Sequence, residues 1–269
     1  MDMQLVMLGT GHAMVTKCYN TCFALQHNDE YFLVDAGGGN GIMAQLEKAE
    51  IPYTGIHHMF VTHGHTDHVL GVIWMVRKIS MLMLNKKYTG EFTIYCHTEL
   101  VEMITTFCAM VLPKNLLQFI GSGIEFREVI DGECVKALGM EFQFFDIAST
   151  KAKQFGFHAV LPGGKTLVCL GDEPYNEKVN KAYVENCDWM LSEAYCLYAD
   201  QDIFKPYAKH HSTALDAGKL AECFGIKNLV LYHTEDTKLA ERKIRYTKEA
   251  KSVFSGVVFV PNDLEKIEL

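Results

Sequence analysis

Residues 61–71 read "VTHGHTDHVLG". Three histidines and an aspartate fall within a span shorter than an average strand. Apolar "HHMFV" (57–61) precedes them and apolar "VLGVIWMV" (69–76) follows. His63 and His65 alternate around Gly64, so on a short extended turn their imidazoles point the same way, while Asp67 and His68 lie on the next bend. Borderline divalent metals favour imidazole nitrogen and carboxylate oxygen, and two ions held close together need about this many ligands. The competing reading is a solvated histidine-rich loop. It is the weaker one, because the apolar flanks leave these groups at the mouth of a core.

Working outward, short apolar runs recur with helix-like stretches between them. Apolar residues at helical spacing predict helices within "GNGIMAQLEKAEI" (39–51), "LGVIWMVRKISMLML" (70–84), "TELVEMITTFCAMV" (98–111) and "TALDAGKLAECFG" (213–225). The strand-like runs share a feature. In "LVDAGGG" (33–39), "FVTHGHTDH" (60–68), "FQFFD" (142–146), "LVCLGD" (167–172), "WMLSEA" (189–194) and "LVLYH" (229–233) an acid or a histidine ends an apolar strand. In α/β sheets ligand sites gather at strand ends, where loops aim side chains into a shared cleft. Six such endings predict one converging polar site.

Bulk composition narrows the function classes. The 269 residues are 49% hydrophobic and 22% charged, which suits a globular α/β chain, and no linker or repeat interrupts them. A formal charge of -8, without any basic block, disfavours a large nucleic acid held through its phosphates. Nine cysteines without a C-x-x-C pair read as reduced thiols, so a cytoplasmic location is expected. The N-terminal "MDMQLVMLGTGHAMV" lacks a basic region and resembles a core strand, and no apolar run is long enough to cross a membrane.

The segment H-G-H-T-D-H, after a strand and opening a helix, resembles the H-x-H-x-D-H signature of the metallo-β-lactamase superfamily. The resemblance covers nearly the whole chain and is closest to the ribonuclease Z branch. "LGTG" (8–11), "YNTCFAL" (19–25) and "FLVDAGGG" (32–39) resemble its opening strands, with Asp35 as the structural aspartate. "VCLGDEP" resembles its S-G-D-T segment and "DWMLSEAY" its H-E-A-T segment, giving Asp172 and Glu193. "HHSTALDAG" resembles H-S-T-A and "LVLYHT" the final L-x-L-T-H strand, giving His211 and His233.

What this implies is an α/β metallo-β-lactamase fold: an αββα sandwich of two mixed β-sheets flanked by helices, as a single hydrolase domain over 1–269. It also implies two divalent metal ions. His63 and His65 would hold one, Asp67, His68 and His233 the other, and Asp172 would bridge them. Such ions make hydroxide available at neutral pH and neutralise substrate oxygens. Asp67 would orient the attacking water or take its proton. Glu193 would hold His211 so that the imidazole gives a proton to the leaving oxygen. Asp35 reads as a loop-bracing carboxylate, and His210 as structural. His27, His57, His58 and His97 show no motif, and His12 either lines the cleft or does not. A homodimer is a further implication of the resemblance.

Two departures from the family pattern stand out. A histidine ligand is expected after a strand between Asp67 and Asp172, ahead of a G-Y or G-F step, but "MEFQFFDIASTKAKQFGFHAV" (140–160) ends its strand on Asp146. Either Asp146 replaces the imidazole on the first ion or the position is vacant. We expect replacement, since a carboxylate ending an apolar run needs a partner; His158, beyond the F-G-F step, is the weaker candidate. An oxygen donor would shift preference from zinc, the expected metal, toward manganese or iron. The second departure is the lost transfer-RNA arm, since "FGFHAVLPGGKTLVCLGD" (155–172) runs between strands through a tight P-G-G turn.

The expected function is therefore hydrolysis of a small or cyclic phosphodiester through a metal-bound hydroxide, with transfer RNA disfavoured. Lys151 and Lys153 in "STKAKQ" (149–154) either meet a phosphate or form a solvated loop. The alternatives are a carboxylic ester, thioester or lactone hydrolase, a ribonuclease Z-like endonuclease, and a metal-binding protein that has lost its chemistry.

Overall fold

The computed structural model describes residues 3–269. Its strands are β1 (Gln4–Gly9), β2 (Cys22–His27), β3 (Glu30–Val34), β4 (Ile56–Phe60), β5 (Phe92–Cys96), β6 (Ile124–Glu128), β7 (Cys134–Ala137), β8 (Met140–Asp146), β9 (Phe155–Val160), β10 (Thr166–Cys169), β11 (Trp189–Glu193), β12 (Asn228–Tyr232), β13 (Val257–Phe259) and β14 (Lys266–Glu268). The helices are α1 (Gly41–Lys48), α2 (Thr66–Leu84), α3 (Thr98–Val111), α4 (Lys114–Leu117), α5 (Glu177–Val184), α6 (Gln201–Phe204), α7 (Ala214–Cys223) and α8 (Leu239–Lys251). Contacts divide the chain into two compact units. The first comprises the chain up to Gly9, Tyr19–Ile130 and Leu264–Leu269; the second comprises Thr10–Cys18 and Asp131–Asp263.

The first unit is a seven-stranded mixed sheet of order β14-β1-β2-β3-β4-β5-β6. Pairing is antiparallel from β14 to β3 and parallel from β3 to β6. Helix α2 buries Val69, Val72, Val76 and Ile79 in one core with Leu33, Met59 and Ile94 of the sheet. Gly71 allows the close approach of its first turns: an added Cβ would stand 1.9 Å from the Ala36 carbonyl oxygen. The Gly71 N–H donates to the Gly37 carbonyl at 2.9 Å, which locks the start of α2 to the loop that carries Asp35.

The second unit repeats the design, with order β13-β12-β11-β10-β9-β8-β7, parallel from β13 to β10 and antiparallel from β10 to β7. Central strand β11, "WMLSE", is buried along its whole length, as expected where a parallel strand is covered on both faces. Residues 161–165 join β9 to β10 directly, closed by the Leu161 N–H on the Lys165 carbonyl at 2.8 Å. Helix α8 has no counterpart among the helices read from sequence. Its buried positions are only Arg242, Tyr246 and Ala250, too sparse and too polar to give an apolar period. Arg242 is nonetheless held at both terminal nitrogens. Its guanidinium donates to Thr10 Oγ1 (2.9 Å), Thr234 Oγ1 (2.8 Å) and the Pro261 carbonyl (2.8 Å), holding the residue that follows His233.

All nine cysteines are free, consistent with the reduced state expected from their spacing. No helix among the described residues is long and apolar enough to cross a membrane.

Candidate metal centre and proton-donor pair

Polar residues cluster where parallel strands end in both units. In the first unit, Asp35 follows β3 with a left-handed backbone (φ 57), a conformation that non-glycine residues seldom adopt. Its Oδ1 accepts the Thr62 N–H (2.8 Å), and its Oδ2 accepts the Thr62 hydroxyl (2.8 Å) and faces His68 Nδ1 (2.7 Å). Asp35 thus braces the loop after β4. Since the Thr62 hydroxyl has one hydrogen and gives it to Asp35, its 2.9 Å bond to His63 must use the Nδ1–H of His63 as donor. The lone pair of neutral His63 is then on Nε2, which faces His65 Nδ1 at 2.8 Å. This is the tautomer that ligates metals, fixed by outer hydrogen bonds.

Asp67 lies in the first turn of α2, where an acid is favoured by the helix dipole. Its Oδ2 is 3.5 Å from His68 Nε2. Burial by itself pushes the His68 imidazole down, but the Asp35 and Asp67 carboxylates outweigh it and hold the group well above its ordinary range. Two buried acids at one helix start call for a positive charge beside them.

In the second unit, Asp172 follows β10, Glu193 is the last residue of β11, and His233 follows β12 with φ 56. Asp172, His211 and His233 each offer a ligand atom within 4.8 Å of the others. Asp172 Oδ2 is 3.5 Å from His233 Nε2. Metal–nitrogen bonds of about 2.0–2.1 Å in tetrahedral geometry put neighbouring ligand atoms about 3.3 Å apart. The donor pairs within each unit are close to that spacing, and their nitrogen and oxygen chemistry fits a borderline divalent ion.

Glu193 is buried and fully used. Its Oε2 accepts His211 Nδ1–H at 2.6 Å, while Oε1 accepts the Ser212 N–H (2.8 Å) and the Ser212 hydroxyl (3.2 Å). The H-S-T-A segment explains how His211 is delivered. Thr213 and Asp216 form a capping box that starts α7, and the two residues before the cap both hydrogen-bond Glu193. Tyr195 stacks on His211 (centroids 4.6 Å) and on His12 (4.5 Å), which fixes the plane of the His211 ring.

Other predicted residues fall differently. Asp146 ends β8 and its Oδ1 accepts the Ala148 N–H at 2.8 Å, closing a turn. It is in no ligand group found among the described residues. His158 lies mid-strand in β9, half-buried, with burial pushing its imidazole down. His210 turns away from His211 and bonds Thr150 Oγ1 at 3.0 Å. His57 caps the Glu91 carbonyl (3.1 Å), and His97 precedes α3 at its N-cap. His12 joins the aromatic stack, its ring centroid 4.5 Å from that of Tyr195 and 6.2 Å from that of His233.

One participant escaped the sequence reading. Gln154, buried before β9, donates from Nε2 to Asp172 Oδ1 at 2.5 Å. The neighbouring Gly171 makes room, since a Cβ there would meet Gln154 Nε2 at 2.7 Å. The only trace in sequence is one polar residue ahead of the apolar F-G-F step.

The chain is 27% identical to the ribonuclease Z of Bacillus subtilis (strain 168) over 315 aligned positions, which cover 98% of each. Among solved structures, it superposes on the metallo-beta-lactamase fold protein YhfI from Bacillus subtilis with a TM-score of 0.80, 21% identity and full coverage of both chains. A new diphosphatase from the PhnP family aligns with a TM-score of 0.76 at 17% identity, covering 100% of this chain and 98% of that one. The expected fold class and superfamily therefore hold. The chain is a metallo-β-lactamase superfamily hydrolase related to ribonuclease Z, and since the model of the family described as Anti-Pycsar protein Apyc1 matches residues 3–250, it belongs to that family.

Proposed function

We propose that this chain is a metal-dependent phosphodiesterase acting on a small or cyclic phosphodiester. The carrying observation is the Glu193–His211 pair, with a 2.6 Å bond at Nδ1 that leaves Nε2 as the nitrogen offered to a substrate. A buried acid that orients an imidazole beside a ligand cluster is suited to protonating a leaving oxygen. Alkoxide leaving groups of phosphodiesters need this help; aryl carboxylic esters need it far less.

By the motif resemblance, His63 and His65 would hold one divalent ion, Asp67, His68 and His233 the other, with Asp172 shared; Asp146 would stand in for the histidine that the family pattern expects on the first. Asp146 Oδ1 accepts the Ala148 amide, so Oδ2 is the oxygen that would ligate. Ions bound there would polarise the phosphoryl oxygens and acidify water. In that reading Asp67 would orient the attacking water and take its proton, and His211, protonated at Nε2, would give the Nε2 proton to the departing oxygen, yielding a phosphomonoester and a free hydroxyl. Gln154 holds the Asp172 carboxylate in register. The family match runs through both units, which supports reading them as one hydrolase domain. The missing arm between β9 and β10 and the charge of -8 favour a small substrate over transfer RNA.

The test is elemental analysis of protein purified without chelators, together with turnover of bis(p-nitrophenyl) phosphate and p-nitrophenyl acetate. Metal-dependent cleavage of the phosphate is expected. Turnover of the acetate alone would sink the proposal.

A further inference from the structure

We propose that Lys151 is the residue that recognises the substrate's phosphate charge and sets the preference for phosphodiesters over neutral esters. The inference rests on the phosphodiester reading and names a binding residue for that same site.

The sequence could not choose between Lys151 and Lys153, and the structure separates them. Lys153 Nζ sits over the Phe155 ring, 5.7 Å from its centroid. Lys151 Nζ instead lies 3.4 Å from His211 Nε2, with about a quarter of its side chain exposed (23%). Its loop is clamped by Glu173, the residue directly after Asp172. Glu173 Oε1 accepts the Ser149 hydroxyl (2.6 Å) and Oε2 the Thr150 N–H (3.2 Å), while Ser149 Oγ accepts the Lys151 N–H at 3.2 Å. The bland alternative is that Lys151 merely neutralises Glu173. That contact is 4.0 Å, at the limit of an ion pair, and both oxygens of Glu173 already accept from the loop. The ammonium is closer to the imidazole than to the acid.

In the structure the ammonium donates to His211 Nε2; once that imidazole is protonated, the two groups offer hydrogens to adjacent oxygens of one tetrahedral phosphate. The ester oxygen takes the proton at His211 Nε2, and a charged non-bridging oxygen takes Lys151. A carboxylic ester has no anionic oxygen for the ammonium, so Lys151 contributes to binding only the phosphodiester. Clamping by Glu173 limits the entropy lost when the lysine engages.

Lys151→Met and Lys151→Arg test this against the parent, all metal-loaded. Inorganic phosphate affinity is measured by calorimetry, alongside steady-state kinetics on bis(p-nitrophenyl) phosphate and p-nitrophenyl acetate. Lys151→Met should weaken phosphate binding and raise KM for the phosphodiester about tenfold or more, as expected for one charge-assisted hydrogen bond, a larger loss than on the acetate. Lys151→Arg should stay within about threefold of the parent, since the charge is kept. Unchanged phosphate affinity in Lys151→Met overturns the proposal, as does equal loss in Lys151→Arg. A parent that cleaves only the acetate defeats the phosphodiester reading, while phosphate calorimetry still judges Lys151. A parent that cleaves the phosphodiester with a KM untouched by Lys151→Met defeats Lys151 alone.

Discussion

Replacing Glu193 by Gln is the most discriminating single change. Glu193 receives three hydrogen bonds, one from His211 and two from Ser212. Glutamine keeps one carbonyl oxygen, which suits the Ser212 amide and hydroxyl, and so the local backbone should hold. Its amide nitrogen then faces His211 Nδ1, where a donor replaces an acceptor. The imidazole loses a charge-assisted hydrogen bond worth about 1.5–3 kcal/mol, or roughly 10- to 150-fold in rate. It also flips to the neutral tautomer that accepts from the amide, a weaker acid at Nε2. The loss should therefore depend on the leaving group. In a series of aryl ethyl phosphates whose phenols differ in acidity, kcat should fall about 100-fold for the least acidic phenol and only a few-fold for p-nitrophenol. Metal content, measured in parallel, should not change. A uniform loss across the series, or loss of metal, would refute the assignment of His211 and Glu193 as a proton-donor pair.

If Asp172 is shared by two ions as proposed, Asp172→Ala would leave neighbouring cations with less charge to balance them; elemental analysis should then show fewer ions per chain, and activity should drop more than about 100-fold. Asp146→Ala should reduce metal content if the carboxylate ligates, Asp146→His should restore it with a tilt toward zinc, and His158→Ala should leave it unchanged. Unaltered stoichiometry in Asp146→Ala would mean that the residue only closes its turn. Burial, and then His57, holds the His58 imidazole below its ordinary 6.5. The folded state therefore resists that proton, so stability is complete above pH 6.5 and declines as pH falls through that value. Melting temperatures from pH 7.5 to 5 should fall less steeply in His58→Gln; identical slopes would contradict the argument.

Much of the site was legible in the sequence because its residues are tied to strand ends. H-G-H-T-D-H, Glu193 and His233 each sit where an apolar run stops, and that stop is a local property of the chain. Helix α3 was likewise legible to the residue, since its apolar positions repeat at helical spacing. Helix α8 was not, because its buried face is made by Arg242, whose burial is compensated only by partners at Thr10 and Pro261, far away in the chain. Composition and spacing likewise left the two lysines of 149–154 equivalent. The folded loop, clamped by Glu173, turned one toward His211 and the other onto Phe155. The same holds for Gln154 on Asp172 and for Tyr195 between His12 and His211. Sequence alone determined which chemistries were present and at which strand ends, because periodicity and residue type act over a few residues. Only the tertiary structure decided which polar groups share a hydrogen bond, because those partners come together through the packing of strands distant in the chain.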